Sequence, residues 1–211
     1  MNTMYSQEYF TRETTKSGEV FPAYLSFLAT LGVSLKEKKV LDIGCATGEF
    51  IGNIERISKC YGCDYSEYAV KQCQEKFPHI KDRFFQMDLN QGTFPLEESF
   101  DIITMFDVVE HLTNFVPLEQ ILQKHLKKGG LLIVTTPNAN SLTRFLGSKN
   151  FTGEVDPTHR MLFTPYTMDF FLRRMGLSKK EIFTPYIFHF KMNFLTKRVL
   201  FGGQIVAIYS K

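Results

Sequence analysis

The first clear pattern in the chain is a run of apolar residues at helical spacing between residues 18 and 34. Side chains three or four positions apart fall on one face of an α-helix, and this run keeps that spacing over several turns. Its apolar members are Val20, Phe21, Tyr24, Leu25, Phe27, Leu28 and Leu31. The pattern predicts a helix that ends near Gly32.

Short apolar stretches then alternate with helical ones. Residues 39–43 predict a strand that leads through a glycine turn, residues 44–48, into an amphipathic stretch ending near residue 58. The alternation recurs, with strands at 59–63, 83–87, 101–106 and 131–136 and helices at 66–77 and 117–127. Apolar strands separated by helices are typical of a parallel sheet covered on both faces. We therefore predict an α/β, doubly wound fold.

The pattern changes after Pro137. Residues 138–164 are irregular, a helix is predicted over 165–175, and strands are predicted over 181–188 and 204–209. A basic and aromatic segment, residues 189–203, joins those strands. No linker or repeat divides the 211 residues, and this length suits one domain.

The composition is that of an ordinary globular protein, with 44% hydrophobic and 22% charged residues. The N-terminus lacks a basic segment followed by an apolar one, and no apolar run approaches the roughly 18 residues that cross a membrane. We expect a soluble, cytoplasmic protein whose four cysteines are reduced thiols. Cys60-Tyr-Gly-Cys63 has the spacing of half a zinc site, but nothing completes it, so we predict no metal site.

The net charge of +3 hides a division along the chain. Residues 1–120 hold 11 basic against 18 acidic residues, whereas residues 121–211 hold 14 against 4. A basic C-terminal part can face an anionic substrate, a membrane surface or nucleic acid. The chain has no block of five like charges, which would mark a nucleic-acid-binding arm.

The turn after the first strand is suited to a nucleoside. Gly44 and Gly48 lie between a strand and a helix, where open parallel sheets bind ligands. The dinucleotide fingerprint G-x-G-x-x-G would need glycine in place of Ala46 and Glu49, and the Glu49 charge would repel a pyrophosphate. Together with Asp42, the turn fits an uncharged nucleoside better than a dinucleotide.

Two further carboxylates follow the next strands. Asp64 lies 22 residues after Asp42, where it can accept hydrogen bonds from two ribose hydroxyls. Asp88 follows the third strand and can accept one from an adenine amino group. Each acid alone reads as an ordinary strand-end or helix-cap residue. Three acids at three successive strand ends favour a nucleoside site.

Five segments carry a resemblance to a known family. They are Val40-Leu-Asp-Ile-Gly-Cys-Ala-Thr-Gly48, Gly62-Cys-Asp64-Tyr65-Ser66, Gln86-Met-Asp88-Leu89, Phe100-Asp-Ile-Ile-Thr-Met-Phe-Asp-Val-Val-Glu-His-Leu112 and Leu126-Lys-Lys-Gly-Gly-Leu-Leu-Ile-Val134. In order and spacing they resemble the motifs of class I S-adenosylmethionine-dependent methyltransferases, closest to the ubiquinone-biosynthesis-type small-molecule O-methyltransferases. The resemblance is strong over residues 18–137 and loose beyond. Its one departure is Ala46, where the family often has glycine.

The resemblance implies a Rossmann-like fold with a mostly parallel, seven-stranded sheet and an antiparallel last strand at residues 204–209. It implies methyl transfer from S-adenosylmethionine to a small molecule, at oxygen, with S-adenosylhomocysteine as the product. Within the single domain, it implies an N-terminal helical cap (1–35), a cofactor-binding core (36–137) and acceptor-side insertions with the final strands (138–211).

The same resemblance assigns residues to parts of the cofactor. Asp64 would bind the ribose, and Phe106 would border the methionyl group. The full set implied is Asp42, Gly44, Cys45, Ala46, Gly48, Asp64, Tyr65, Asp88, Leu89 and Phe106.

Two histidines could supply a base. Methyl transfer from a sulfonium chiefly needs a close, aligned acceptor, and an alcohol or amine acceptor also benefits from a base. His111 follows the fourth strand, where several family members carry histidine, and begins five residues after Phe106. His159 lies in Asp156-Pro-Thr-His-Arg160, within the irregular stretch. We place His111 first and keep His159 as the alternative, although either can be an ordinary packing residue.

Residues 138–164 and 189–203 are the stretches that the alternating core does not require, so we expect them to form the acceptor side of the cleft. Their side chains suit an anionic acceptor with an apolar body, or an anionic membrane surface. A solvated basic face over a small apolar cluster is the other interpretation. These side chains are Arg144, Lys149, Arg160, Lys191, Lys197, Arg198, Phe145, Phe151, Phe188, Phe190 and Phe194.

Three other functions remain open. An NAD(P)-dependent oxidoreductase shares the strand and turn pattern, but no tyrosine here is followed four residues later by lysine. Enzymes that methylate nucleic-acid bases commonly have an Asn/Asp-Pro-Pro-aromatic turn where this chain has Phe106-Asp-Val-Val, so a nucleic-acid partner is disfavoured. A non-catalytic member would have lost some of the acids and glycines that are present.

Overall fold

The computed structural model describes residues 20–92, 94–146, 156–185 and 202–211. Seven strands form one sheet at its centre: β1 (Lys39–Ile43), β2 (Lys59–Asp64), β3 (Phe84–Gln86), β4 (Phe100–Phe106), β5 (Leu126–Pro137), β6 (Ser178–Phe183) and β7 (Gln204–Ser210). Their order across the sheet is β3-β2-β1-β4-β5-β7-β6.

Strands β1 to β5 run parallel, and β7 lies antiparallel between β5 and β6. Ile43, near the end of β1, lies opposite Cys63 of β2 and Met105 of β4. The carboxyl ends of neighbouring strands therefore meet at one edge of the sheet. This confirms the predicted doubly wound, mostly parallel, seven-stranded fold with an antiparallel last strand.

Helices cover the sheet, and local sequence marks several of their ends. The Ser66 side chain accepts a hydrogen bond from the Ala69 N–H and caps one helix, and Thr164 and Thr167 form a capping box at another. The α-helices among the described residues are α1 (Val20–Thr30), α2 (Glu49–Ile54), α3 (Glu67–Lys76), α4 (Val116–His125), α5 (Leu142–Phe145) and α6 (Pro165–Arg174).

Each face of the sheet carries its own apolar core. Consecutive residues of a strand point to opposite faces, so Ile102 packs in one core and Ile103 in the other. The first core contains Leu28 of α1 and Ile51 of α2, and the second contains Leu122 of α4. Burying one such side chain contributes roughly 1.5–3 kcal/mol.

Several predicted boundaries differ from the structure; for example, β5 begins at Leu126 rather than 131, and β6 ends at Phe183 although the prediction extended to 188. Helix α4 ends at His125 rather than 127, because Leu126 already pairs with Phe100 as the first residue of β5. Strand β6 begins at Ser178, three residues before the predicted start. Its residues 178–181 are exposed, so the apolar pattern used for the prediction is weak there. Residues 186–188 of the predicted strand lie outside the described residues.

Candidate functional site

The turn between β1 and α2 lies against the loop that follows β4. Gly44 has a φ of 76°, and a Cβ added there would lie 2.2 Å from Val108 Cγ2. Gly48 has a φ of 81°, and a Cβ there would lie 2.7 Å from the Phe77 ring. Only glycine combines this backbone conformation with so little space. The two glycines thus allow the turn to pack closely against Val108 and Phe77 at the carboxyl edge of the sheet.

Four N–H groups of this turn are already bonded within the protein, and one of them is that of Gly48, which donates to the Cys45 carbonyl at 2.9 Å. Gly44 and Cys45 both donate to the Cys63 carbonyl, at 2.8 and 3.0 Å. Ala46 donates to Asp64 Oδ2 at 2.9 Å. A phosphate would need such donors for itself, so the turn is better suited to a nucleoside than to a pyrophosphate.

Ala46 adopts a left-handed backbone conformation, with a φ of 47°. Residues other than glycine adopt this conformation at a cost, and it is found most often at functional sites. The hydrogen bond to Asp64 compensates part of this cost. Glycine adopts a left-handed conformation without this cost, so glycine would also suit position 46.

Asp64 stands at the end of β2 with both carboxylate oxygens oriented by main chain. Oδ2 accepts from Ala46, and Oδ1 accepts from the Ser66 N–H at 2.8 Å. Burial raises the pKa of this carboxyl group, and the backbone hydrogen bonds oppose that shift. A carboxylate has about four acceptor positions, so Asp64 can also accept from ligand hydroxyls.

Asp42 lies beneath the turn, on β1. Its side chain is buried, and the Thr104 hydroxyl donates to its Oδ1 at 2.7 Å. Burial raises the pKa of Asp42 to about 7, against the lowering effect of the Thr104 hydrogen bond. Asp42 therefore supports the floor of the site and carries a proton over part of the neutral pH range.

The Cys45 side chain points into the core rather than into the site. It is 3% exposed, and the pKa of its thiol is raised by a hydrogen bond with Cys73 and by burial. The site therefore receives only the main chain of Cys45. All four cysteines of the chain are buried free thiols, as predicted.

Residues after β3 continue the same edge. The Met87 N–H donates to the Asp64 carbonyl at 2.9 Å, which joins β3 to the end of β2. Asp88 Oδ1 accepts from the Asn90 N–H at 2.9 Å, so this carboxylate orders its own turn. Leu89 is buried, and Tyr65 is among the exposed large side chains. Tyr65 follows the end of β2, and Asp88 and Leu89 follow β3.

Phe106, the last residue of β4, belongs to an aromatic cluster under α1. Its ring centroid lies 4.8 Å from that of Phe50, 5.3 Å from Phe21 and 5.8 Å from Tyr24. Helix α1 thus packs on the end of β4 beside the turn. Phe21 and Tyr24, within the predicted helical cap, therefore contact the end of β4 at Phe106.

Asp107 is a residue of this edge that sequence reasoning missed. It has a left-handed φ of 54°, its N–H donates to the Thr135 carbonyl, and its Oδ1 accepts from the Thr135 hydroxyl at 3.1 Å and from Gln204 Nε2. These contacts tie β4, β5 and β7 together. The sequence offered no distinguishing signal, because aspartate after a strand is common.

The two candidate bases are brought together. The ring centroids of His111 and His159 lie 4.7 Å apart at 67°. The segment that carries His159 is anchored by main chain, since the N–H groups of Arg160 and Met161 both donate to the Glu110 carbonyl, at 2.8 and 3.1 Å. Burial lowers the pKa of His111, and the neighbouring His159 lowers it further. A neutral imidazole is the form that can take a proton.

Glu110 lies beside the histidines and was also missed. Its side chain is 1% exposed, and neither carboxylate oxygen has a hydrogen-bond partner among the described residues. Oε1 lies 3.9 Å from His159 Nε2. Burial raises the pKa of Glu110 well above its usual range, and the Asp107 charge adds to this. The local sequence, in which Glu110 follows two valines in the loop after β4, gives no sign of this burial.

Glu110, His111 and His159 are the described residues that could hold a metal ion. One potential ligand atom from each lies within 4.8 Å of the others. Two ligands of one zinc ion are at most about 4.2 Å apart, twice a typical bond length. Glu110 Oε1 and His159 Nε2, which are 3.9 Å apart, lie within this limit. That the chain binds no metal ion stays a prediction, and this cluster is the place in the described residues where it can be tested.

The remaining histidines are His79, His125 and His189, of which the structure describes the first two. His79 is exposed and lies 2.9 Å from Glu55, whereas His125 is buried, with Nδ1 2.7 Å from the Glu98 carbonyl oxygen. His189 lies outside the described residues. Neither described histidine reaches the carboxyl edge.

The proposed acceptor side is described only in part. Phe145 and Leu146, at the end of α5, are 69% and 74% exposed, and Arg144 Nη1 donates to the Ala139 carbonyl. Lys149, Phe151, Phe188, Phe190, Lys191, Phe194, Lys197 and Arg198 lie outside the described residues. No helix in the described part of the chain is long and apolar enough to span a membrane.

Comparisons with known proteins show the family of the chain. Residues 17–181 match the family model described as "Methyltransferase domain". The chain is 28% identical over 163 residues to the mitochondrial ubiquinone biosynthesis O-methyltransferase of Homo sapiens, covering 72% of this chain and 44% of that protein. It is 26% identical over 174 residues to the ubiquinone biosynthesis O-methyltransferase of Pseudomonas putida, covering 76% and 75%. The chain thus spans less than half of the human relative.

Solved structures show the same fold. A SAM-dependent methyltransferase from Archaeoglobus fulgidus superposes with a TM-score of 0.71 at 22% identity, covering 98% of this chain and all of that one. Magnesium protoporphyrin IX methyltransferase from Synechocystis, with bound SAH, gives 0.62 at 18% identity, covering 92% and 83%.

Proposed function

Because the chain belongs to the methyltransferase domain family, we propose that it transfers a methyl group from S-adenosylmethionine to an oxygen atom of a small-molecule acceptor. The observation that carries the proposal is the placement of Asp64. Its carboxylate is fixed by two N–H groups, beside the tightly packed glycine turn that follows β1. That arrangement suits a neutral ribose and adenine next to a sulfonium.

The residues of the edge fit the cofactor in their chemistry. Asp64 accepts from the ribose hydroxyls, and Asp88 with Leu89 borders the adenine. The main chain of residues 44–48 and the end of β4 at Phe106 border the methionyl part. When bound, S-adenosylmethionine supplies a methyl group already activated on sulfur. The protein therefore needs chiefly to hold the acceptor in line with that methyl group.

The histidine cluster gives an acceptor hydroxyl a place to lose its proton. His111 lies five residues beyond Phe106 on the same edge, and His159 packs on it. Burial keeps the His111 pKa below its ordinary value, so the ring is neutral near pH 7. We assign His111 as the base and keep His159 as the alternative.

The acceptor class is supported by charge and by the relatives. Residues 121–211 carry the excess of basic side chains, and two of these, Arg144 and Arg160, flank the described part of the acceptor side. The curated relatives named above are O-methyltransferases of ubiquinone biosynthesis. We propose that the acceptor is an anionic molecule with an apolar body and that the reaction takes place in the cytoplasm.

Calorimetry and an acceptor screen test the proposal. We expect S-adenosylmethionine and S-adenosylhomocysteine to bind and NAD to show no heat of binding. Purified protein would then be incubated with S-adenosylmethionine and a panel of phenols, hydroxy acids, sugar derivatives and lipid-like acceptors, and S-adenosylhomocysteine would be quantified. Binding of NAD but not of S-adenosylmethionine would overturn the proposal. Methylation of RNA, with every small molecule inert, would overturn the acceptor class.

A further inference from the structure

Asn90, in the turn after β3, holds the loop that follows β4. Its side-chain Oδ1 accepts hydrogen bonds from the Thr113 N–H at 2.8 Å, from the Thr113 hydroxyl at 3.0 Å and from the Asn114 N–H at 3.2 Å. In return, Asn114 Nδ2 donates to the Asn90 carbonyl at 3.1 Å. Main-chain N–H groups can only donate, so the atom of the Asn90 amide that faces the loop is its oxygen. One asparagine thus joins two segments that lie more than 20 residues apart in the chain.

The turn that carries Asn90 is itself tightly bonded. Asp88 Oδ1 accepts from the Asn90 N–H at 2.9 Å, and the Asp88 carbonyl accepts from the N–H groups of Gln91 and Gly92, at 3.1 and 2.8 Å. Asp88 and Asn90 therefore belong to one bonded turn. The proposed function places Asp88 beside the adenine, so a cofactor that contacts Asp88 contacts the turn that holds Asn90.

The loop on the other side of this contact, residues 109–114, borders the acceptor side and leads into a helix. The Glu110 carbonyl of this loop accepts the two main-chain hydrogen bonds that anchor the segment carrying His159. At the other end of the loop, Asn114 Oδ1 accepts from the Val116 N–H at 3.1 Å, at the start of α4. Asn90 therefore bonds to the loop between the acceptor side and α4.

Apolar side chains link the same two segments on their inner side. Leu89 of the turn and Leu112 of the loop are both buried, and both belong to the core that contains Leu122. The hydrogen bonds of Asn90 lie on the exposed side. The turn after β3 and the 109–114 loop are therefore held together from two sides.

The strand order shows what this contact crosses. Strands β2 and β1 lie between β3 and β4 in the sheet, so β3 and β4 are about 14 Å apart at the usual strand spacing. The loops that follow β3 and β4 therefore meet beyond the ends of β2 and β1, where Asp64 and the glycine turn lie. The Asn90 contact connects the two ends of the edge at which we place the cofactor.

We propose that Asn90 is a positioning residue through which bound S-adenosylmethionine fixes the 109–114 loop for the acceptor. This inference rests on the proposed function. The cofactor contacts the turn at Asp88 and Leu89, the turn loses freedom of movement, and the hydrogen bonds of Asn90 extend this order to the loop. Methyl transfer depends on close alignment of the acceptor with the methyl group, which an ordered loop favours. Because such coupling is reciprocal, a bound acceptor should in turn tighten cofactor binding.

Hydrogen exchange of backbone amides tests the inference without an acceptor. Exchange is recorded by NMR on the full chain, with and without saturating S-adenosylhomocysteine. In the parent protein, S-adenosylhomocysteine should slow exchange at the glycine turn and also at the N–H groups of Thr113 and Asn114, by about fivefold or more. Protection at the glycine turn reports binding. Protection at Thr113 and Asn114 reports that order has reached the loop.

Two substitutions of Asn90 isolate the role of its acceptor oxygen. In Asn90→Ala the acceptor is lost, so S-adenosylhomocysteine should slow exchange at Thr113 and Asn114 by less than about twofold while the glycine turn stays protected. Asn90→Asp keeps carboxylate oxygens that can accept the same hydrogen bonds, and it should keep the parental response. Gln74→Ala is the control, because it removes only a side-chain hydrogen bond to the Phe84 carbonyl, at the start of β3.

Kinetics give a second readout. With an acceptor found by the screen described above, Asn90→Ala should raise the KM for that acceptor by at least about fivefold at saturating S-adenosylmethionine, with a smaller change in kcat. Asn90→Asp should restore the parental KM. Circular dichroism checks folding. Should Asn90→Ala fold poorly, Thr113→Val removes the hydroxyl donor alone and should change the protection and the KM in the same direction by less.

The outcomes separate this inference from the proposed function. Protection of the glycine turn in the parent, without protection at Thr113 and Asn114, overturns the inference alone. Parental protection in Asn90→Ala overturns it as well, as does an acceptor KM that Asn90→Ala leaves unchanged. If S-adenosylhomocysteine protects neither place because it does not bind, the proposed function is overturned and this inference with it.

Discussion

The Ala46 N–H lies 2.9 Å from Asp64 Oδ2, so the turn after one strand and the acid that ends the next are directly bonded. This bond serves two purposes. It holds a left-handed alanine in place, and it orients a carboxylate toward the ligand edge. Disturbing either residue is therefore expected to affect both the turn and the binding of S-adenosylmethionine.

Asp64→Ala should weaken S-adenosylmethionine binding by at least several-fold. Each hydrogen bond from a ribose hydroxyl to an ionised carboxylate is worth roughly 1.5–3 kcal/mol. Calorimetric titration measures the loss, and circular dichroism checks folding. Asp82→Ala is the control, because Asp82 is exposed on another turn and should keep parental affinity. Equal affinities in parent and Asp64→Ala would remove Asp64 from the site.

Gly44→Ala should cost more stability than Gly129→Ala. Both glycines have nearly the same φ, 76° and 75°, so both substitutions bear about 1–2 kcal/mol of left-handed strain. Only at Gly44 would the new Cβ strike Val108, which adds about 1–3 kcal/mol of overpacking. Urea denaturation measures the difference, and calorimetry should show weaker cofactor binding for Gly44→Ala alone. If Gly44→Ala and Gly129→Ala lose the same stability, the turn at Gly44 does not lie close to Val108.

Asp42→Asn should reduce the pH dependence of stability between about pH 4 and 7. Burial raises the folded-state pKa of Asp42 to about 7, so the folded protein binds a proton that the unfolded chain releases above its ordinary pKa near 4. Stability contributed by this proton is present at low pH and is lost as pH rises. The slope is at most about 1.4 kcal/mol per pH unit for one group.

Denaturation midpoints of the parent and Asp42→Asn at several pH values measure this effect. The amide oxygen that Asp42→Asn introduces can still accept from the Thr104 hydroxyl, so the hydrogen bond need not be lost. Asp82→Asn serves as the exposed control. If the stabilities of the parent and of Asp42→Asn change with pH in parallel between about pH 4 and 7, Asp42 does not bind this proton.

His111→Ala should lower turnover by about 10²–10⁴-fold and abolish the acidic limb of the pH–rate profile. In the parent, activity should fall as pH drops through the His111 pKa. Because burial lowers the pKa of His111, the acidic limb should lie below the ordinary pKa of histidine. His159→Ala tests the alternative base, and His79→Ala is the control on an exposed histidine. If His111→Ala and His159→Ala both keep the turnover and the acidic limb of the parent enzyme, neither histidine is the base. The alignment of the acceptor with the methyl group would then explain the rate.

Position along the chain predicted which residues lie at the carboxyl edge of the sheet, because the ends of neighbouring parallel strands meet there. Residues 39–43 form the predicted strand, and the 22-residue interval from Asp42 to Asp64 places two acids on neighbouring strands. The direction of a side chain was less predictable. Cys45 belongs to the turn by sequence, yet its thiol packs against Cys73 in the core.

Contacts between distant segments were beyond the reach of sequence patterns. Thr158 has the sequence features of an ordinary loop residue, and it contacts His111 only because its segment folds onto the loop after β4. Glu110 follows two valines, and nothing local shows that its carboxylate is buried. Both contacts depend on the packing of segments about 50 residues apart, which no local periodicity encodes.

The anchoring of the His159 segment has a consequence for how acceptor choice could change in evolution. The Glu110 carbonyl receives both N–H groups of Arg160 and Met161, and these bonds involve main chain only. A bond between backbone atoms survives substitution of the side chains on either residue, provided that neither becomes proline. Arg160 and Met161 can therefore vary to suit new acceptors while the histidines stay in register with the methyl donor.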